Sequence, residues 1–302
     1  MLNWLRYKVL CRPVRLAVRY DRRSAEGVVG EGGDGAVGVR IDVAGSEVVD
    51  AVGSGAMSLV GGEAPAVIFL HGIAASSNTW RTALQRFEVE PDLAQNRLVA
   101  LDWLGFGKSL HAKWLHYTYQ ENCEALARTL KHLQIDKPVI LVGHSMGGLI
   151  AAKFSLMYPE RVRQLVLVSP PLIMPEEIAQ IPDKFYLQTY ANLQEIAKTP
   201  AGKTVAAFAN QLTSFESKYL HTPAFERSMK NIILNKHNYD ILSSVKVPTA
   251  IIHGRFDPLV YKPNLEKVVR HNAHAKLILS MSHHDINPAK SARIIQVLKG
   301  VV

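Results

Sequence analysis

From Ala66 onward, short apolar runs alternate with stretches of helical periodicity, and this alternation restricts the fold more than any other feature. The runs at 66–70, 98–101, 139–142, 165–168, 249–252 and 276–279 read as buried parallel strands. Between them, 119–133 places Cys123, Leu126, Leu130 and Leu133 on one face at spacings of three and four. Residues 146–158 follow a strand directly and stop at Pro159, and 288–299 carries Ile294, Ile295 and Leu298 ahead of Gly300. The pattern predicts an α/β protein, a mostly parallel sheet with helices on both faces.

One segment departs from the alternation. Between Pro170-Pro171 and Val247-Pro248 there is only helical material rich in Ala, Leu, Phe and Tyr. A connection of that length in a compact domain is normally functional, and its position suits an inserted helical cap over the C-terminal edge of the sheet. The expected organisation is a basic N-terminal segment and Gly-rich loop (1–35), a core assembled from 36–170 and 246–302, and a cap over 171–245. The Gly-rich stretch contains G-x-G-x-x-G at Gly30, Gly32 and Gly35. It neither follows an apolar strand nor opens a helix, so it reads as a linker rather than a dinucleotide cradle. Segments 37–43 and 47–52 read as two short strands joined through Ala44-Gly45-Ser46.

Composition excludes several classes. With 48% hydrophobic and 20% charged residues, the chain is neither disordered nor fibrous. Its two cysteines, Cys11 and Cys123, have no metal-like spacing and no disulfide framework, which suggests a reducing cytoplasm. No apolar stretch spans a bilayer, and Arg6, Lys8, Arg12 and Pro13 interrupt any signal-peptide core. The formal net charge of +9 is concentrated early: Arg6, Lys8, Arg12, Arg15, Arg19, Arg22 and Arg23 face one acid, Asp21. That cluster is either an arm making peripheral contact with an anionic membrane or an edge strand with a solvated basic face. Val14, Leu16, Val18 and Tyr20 alternate with Arg15, Ala17 and Arg19, which favours the strand. Aromatic residues do not interleave with the basic ones as in a nucleic-acid module. No Cys/His cluster or paired carboxylates call for a metal, and no cofactor is implied. The oligomeric state stays open.

The sharpest local signal is Gly143-His144-Ser145-Met146-Gly147, a G-x-S-x-G between an apolar run and a helix. In that setting a tight strand-to-helix turn presents the serine oxygen, and the helix directs its first amides toward it. Four further segments stand at the ends of apolar runs. His71-Gly72-Ile73 ends one strand, and Asp102-Trp103-Leu104-Gly105-Phe106-Gly107-Lys108-Ser109 follows the next. His253-Gly254-Arg255-Phe256-Asp257-Pro258 and Ser282-His283-His284-Asp285 close the series. Gly107-Lys108-Ser109 imitates a P-loop ending, but the first glycine of that motif would fall at Asp102.

Over residues 36–302, and least in the cap, the chain resembles the α/β-hydrolase superfamily, its serine-nucleophile esterase and lipase-like branch. The resemblance implies Ser145 as nucleophile, Asp257 as the acid and His284 as the base. It also implies the backbone amides of Ile73 and Met146 as the oxyanion hole. His283 stands where the family commonly has glycine, and is the alternative base. The place where some members carry the acid after an earlier strand is held by Ser169-Pro170. Asp257 could instead be an ordinary turn residue before Pro258. His71, His144 and Asp102 are expected to brace their loops. Ser145 argues against the superfamily's dehalogenases and epoxide hydrolases, which use an aspartate nucleophile. The implied activity is hydrolysis of a carboxylic ester or lipid-like acyl small molecule through an acyl-enzyme. Carbon–carbon bond hydrolysis, acyl transfer and non-hydrolytic ligand binding are the alternatives. Phe185, Tyr186, Tyr190, Phe208, Phe215 and Tyr219 of the cap are candidates for an apolar pocket.

Overall fold

The apolar runs form strands because their side chains find cover on both sides of one sheet. The computed structural model describes residues 15–22, 64–179, 216–220 and 222–300. Its strands are β1 (Ala17–Arg22), β2 (Val67–Leu70), β3 (Leu98–Asp102), β4 (Val139–His144), β5 (Val162–Val168), β6 (Thr249–Gly254) and β7 (Ala275–Ser280). They pair in the order β1-β3-β2-β4-β5-β6-β7. β1 runs antiparallel to β3, and every other pair is parallel. The Gly-rich loop, the 37–52 segment and residues 180–215, with five of the six cap aromatics, lie outside the described residues.

The period-2 alternation of the strands sorts their side chains into two cores. Ile68, Leu70, Val99, Leu101, Leu141, Leu165, Leu167 and Ile251 face one side. Val67, Phe69, Leu98, Ala100, Val142, Val166, Val168 and Ile252 face the other. The eight helices named in chain order are α1 (Arg81–Glu88), α2 (Tyr119–His132), α3 (Met146–Met157), α4 (Pro175–Ala179), α5 (Pro223–Ser228), α6 (Asn238–Ser243), α7 (Lys262–His271) and α8 (Pro288–Leu298). α2, α3 and α7 contribute Leu126, Leu130, Leu149, Ile150, Leu265 and Val268 to the first core. α1 and α8 contribute Ala83, Leu84, Phe87, Ile294 and Val297 to the second. α2 starts where Thr118 and Glu121 cap each other's backbone amides in a capping box.

The expected edge strand in the basic segment is present as β1, which begins at Ala17 and runs on past Tyr20 to Arg22. Leu16 N–H donates to Thr129 Oγ1 at 2.8 Å and Ala17 N–H to Ser109 Oγ at 2.7 Å. Arg97 clamps the Asp21 carboxylate with two nitrogens, at 2.6 and 2.8 Å. Of the segment expected to form the cap, Ala224, Phe225, Ile232, Ile241 and Leu242 are buried in the same cluster as Leu149 and Ile150 of α3. No helix among the described residues is long and apolar enough to cross a membrane.

The chain turns from β2 toward β3 on one side of the sheet and from β4 toward β5 on the other. Between β2 and β4 the strand order therefore reverses, and the crevice beyond the carboxyl ends of such strands is where open α/β sheets bind ligands. Ile73 follows β2 and Ser145 follows β4.

Candidate active site

At the end of β4 the backbone bends sharply into α3, and Ser145 occupies the bend at φ 52° and ψ −122°. An L-residue reaches that region only at a cost in strain. The bend is feasible because its flanks carry no side chains. A Cβ on Gly143 would lie 2.5 Å from the Gly147 carbonyl oxygen, and one on Gly147 would lie 2.5 Å from the carbonyl oxygens of both Leu70 and His71. The Ser145 amide donates to the Val168 carbonyl at 2.8 Å, which ties the bend to the end of β5. Ser145 is buried but retains some access to solvent, with 6% of its surface exposed.

His284 and Asp257 meet beside this bend. Two loops bring them together: Arg255 N–H donates to Ser280 O at 2.8 Å and Phe256 N–H to Ser282 O at 3.1 Å. A Cβ on Gly254 would lie 2.4 Å from the Ser282 oxygen, so glycine is what lets the loops touch. His284 Nδ1 lies 2.9 and 3.1 Å from the two Asp257 carboxylate oxygens. The Asp257 side chain is fully buried. Burial alone would raise its pKa, yet the hydrogen bond and charge interaction with His284, with help from Ser169 and the Leu259 amide, hold the carboxyl well below its usual range. His283 turns the other way, with its Nδ1 3.2 Å from Phe256 O and its side chain exposed.

The histidine loop rests on the serine bend through His144. Its Nε2 lies 3.0 Å from the His284 carbonyl oxygen, and the two rings are 5.0 Å apart between centroids. A carbonyl only accepts, so Nε2 carries the His144 proton. Burial then keeps this ring neutral, its pKa held well below the ordinary histidine value. No hydrogen bond joins Ser145 Oγ to the His284 ring among the described residues, and such contacts commonly tighten only around bound substrate.

The first loop is braced in the way its residues suggest. Trp103 N–H donates to His71 Nε2 at 2.9 Å, so the His71 proton sits on Nδ1, which donates to Gly72 O at 2.7 Å. Asp102 accepts from the amides of Ser77 and Lys108 at 2.7 and 2.9 Å, organising its own loop. Both histidine and aspartate are therefore committed to structure. The amides of Ile73 and Met146 have no protein acceptor among the described residues. Glu216 joins the same loop, its amide donating to Ala74 O at 2.6 Å and its carboxylate accepting from Ser76 Oγ at 2.6 Å.

Sequence reasoning misses Lys290. It lies on α8 with no exposed surface, donating from Nζ to Ser169 Oγ at 2.9 Å and to the His284 carbonyl. A signal was present: Lys290, Ile294 and Val297 share one stripe of α8, and that stripe is buried. No group of three or more His, Cys, Asp or Glu side chains among the described residues is arranged to hold a metal ion.

Comparison with known proteins agrees with this architecture. A family model described as the alpha/beta hydrolase fold matches residues 65–288. A 2-hydroxy-6-oxo-6-(2'-aminophenyl)hexa-2,4-dienoic acid hydrolase of Metapseudomonas resinovorans is 28% identical over 210 residues, 66% of this chain and 70% of that protein. A 2-hydroxy-6-oxo-2,4-heptadienoate hydrolase of Pseudomonas putida is 36% identical over 112 residues, which cover 35% of this chain and 38% of that one. Among solved structures, an esterase of Exiguobacterium antarcticum aligns at TM-score 0.58 and 21% identity, covering 80% of this chain and 93% of its own. At that identity the likeness is one of fold.

Proposed function

Since the chain belongs to the alpha/beta hydrolase fold family, we propose that it is a serine hydrolase that cleaves a carboxylic ester or lipid-like acyl small molecule through an acyl-enzyme. The observation that carries this reading is the Asp257–His284 pair, at 2.9 and 3.1 Å, resting against the strained turn that holds Ser145. A serine hydroxyl is a weak nucleophile until a base removes its proton. His284 takes the Ser145 proton as the oxygen attacks the substrate carbonyl. Asp257, ionised throughout, holds the Nδ1–H tautomer and balances the imidazolium. The amides of Ile73 and Met146 receive the developing oxyanion. His284 returns the proton to the leaving group, then activates the water that releases the acid.

A second reading uses the same residues to hydrolyse a carbon–carbon bond in a diketone-like substrate. The identity to the two dienoate hydrolases favours it. One experiment separates the two: aryl esters of rising chain length and a 2-hydroxy-6-oxo-dienoate are offered to wild type, Ser145→Ala and Asp257→Asn. Ester turnover is expected, lost by on the order of 10⁶ in Ser145→Ala and 10⁴ in Asp257→Asn. Turnover of the dienoate alone would move the assignment to carbon–carbon cleavage. No Ser145-dependent turnover of either would remove the hydrolase reading.

A further inference from the structure

An ammonium group with no exposed surface is costly unless its surroundings are built to receive it. Lys290 is such a group, and its two described acceptors both belong to the catalytic arrangement. One is the His284 carbonyl. The other is Ser169 Oγ, 2.9 Å away, on a residue that is itself fully buried and held at φ 49° at the end of β5. Ser169 also stands beside the Asp257 carboxylate, close enough to help hold that carboxyl below its usual range.

The directions of these bonds are forced. An ammonium only donates, so Ser169 Oγ must accept from Lys290, which leaves its own hydroxyl hydrogen available to the Asp257 carboxylate beside it. Polar groups therefore lie in sequence from Lys290 through Ser169 to the carboxylate that pairs with His284. The second bond from Lys290 holds the backbone of that same histidine at the carbonyl also met by His144 Nε2. Both ends of the acid–base pair are thus anchored to one buried cation on α8.

We propose that Lys290 is a positioning residue for the hydrolase reaction: through Ser169 it fixes the Asp257 carboxylate, and through the His284 carbonyl it fixes the histidine loop. It touches no substrate. The inference rests on the serine-hydrolase reading above. The ionisable groups around it are Asp257 and Asp285, which favour the ammonium, and His144, His253 and His284. Burial outweighs the two carboxylates and brings the Lys290 pKa down to about 8. The anchor is therefore charged at neutral pH and loses its charge, weakening both bonds, at moderately alkaline pH, before a free lysine would lose its proton.

The test compares pH–rate profiles of wild type, Lys290→Met and Ser169→Ala on the best substrate of the panel. Wild-type kcat is expected to fall above about pH 8. In Lys290→Met, kcat at pH 7 drops roughly 10²-fold, the scale of a misplaced catalytic group. KM stays near wild type, and the alkaline limb disappears. Ser169→Ala keeps the cation and the helix but removes the hydroxyl that Lys290 bonds beside Asp257, so kcat drops about tenfold, the worth of one hydrogen bond to a charged group, and the limb remains. A merely structural lysine would lower the yield of folded protein without removing a pH limb. If wild type hydrolyses its substrate while Lys290→Met retains both kcat and the alkaline limb, the Lys290 assignment fails and the hydrolase reading survives. Should Lys290→Met not fold, unchanged kcat in Ser169→Ala overturns the assignment equally. Wild type without Ser145-dependent turnover overturns both.

Discussion

Ser145 carries strain that its surroundings must hold in place. At φ 52° and ψ −122° its Cβ crowds the backbone, and the turn persists because β4, α3 and the Val168 carbonyl dictate the path around it. The strain belongs to the Cβ and not to the hydroxyl, which separates two variants that both lack the hydroxyl. Ser145→Ala keeps the Cβ and should unfold in urea near wild type. Ser145→Gly removes it and should be more stable than Ser145→Ala by about 1 kcal/mol, because glycine enters this region freely. An alanine variant as stable as the glycine one would mean that the turn stores no strain. Gly143 and Gly147 have a different reason to be small. A Cβ on either would stand 2.5 Å from a backbone carbonyl oxygen that cannot move aside.

At the scale of elements, α8 shows both what the sequence makes legible and what it hides. Its start was readable from Pro288 and its apolar residues Ile294 and Leu298, much as the parallel strands were readable from continuous apolar runs. The serine turn was readable too, because a tight bend imposes glycines at fixed offsets within five residues. Lys290 was not, since a lysine in an amphipathic helix normally points to water, and Ser169 lies 121 positions away. Helix α1 was hidden for a related reason: eight residues with only Ala83, Leu84 and Phe87 facing inward give little periodicity. The burial of Lys290 also has a thermodynamic signature. Its pKa falls from its ordinary 10.5 to about 8 on folding. Between those values the unfolded chain binds the proton and the folded one does not, so stability rises with pH across that window. Urea midpoints measured from pH 7.5 to 10.5 should therefore climb more in wild type than in Lys290→Met. Parallel curves would show that the buried ammonium is not destabilised.

At the scale of the whole molecule, the basic N-terminal residues divide into two groups. Arg19 and Arg22 belong to β1, the antiparallel edge strand, and Arg19 lies 3.9 Å from the buried Asp102 carboxylate that organises the loop after β3. The Arg97–Asp21 clamp and the bonds from Leu16 to α2 and from Ala17 to Ser109 bind the same strand to the core. Removing residues 1–23 would therefore strip β1 and leave the backbone groups of β3 unpaired along an edge, an invitation to pair with another chain. That truncation should lower the thermal midpoint and promote aggregation, so lost vesicle binding by it would say nothing about charge. Replacing Arg6, Lys8 and Arg12 with glutamine keeps β1 and asks the electrostatic question alone. With the basic face serving as a solvated strand edge, flotation with anionic vesicles should be the same for this triple variant and wild type. Salt-sensitive flotation of wild type that the triple variant loses would instead make the segment ahead of β1 a membrane-contact arm, since each basic residue near an anionic surface contributes about 1 kcal/mol.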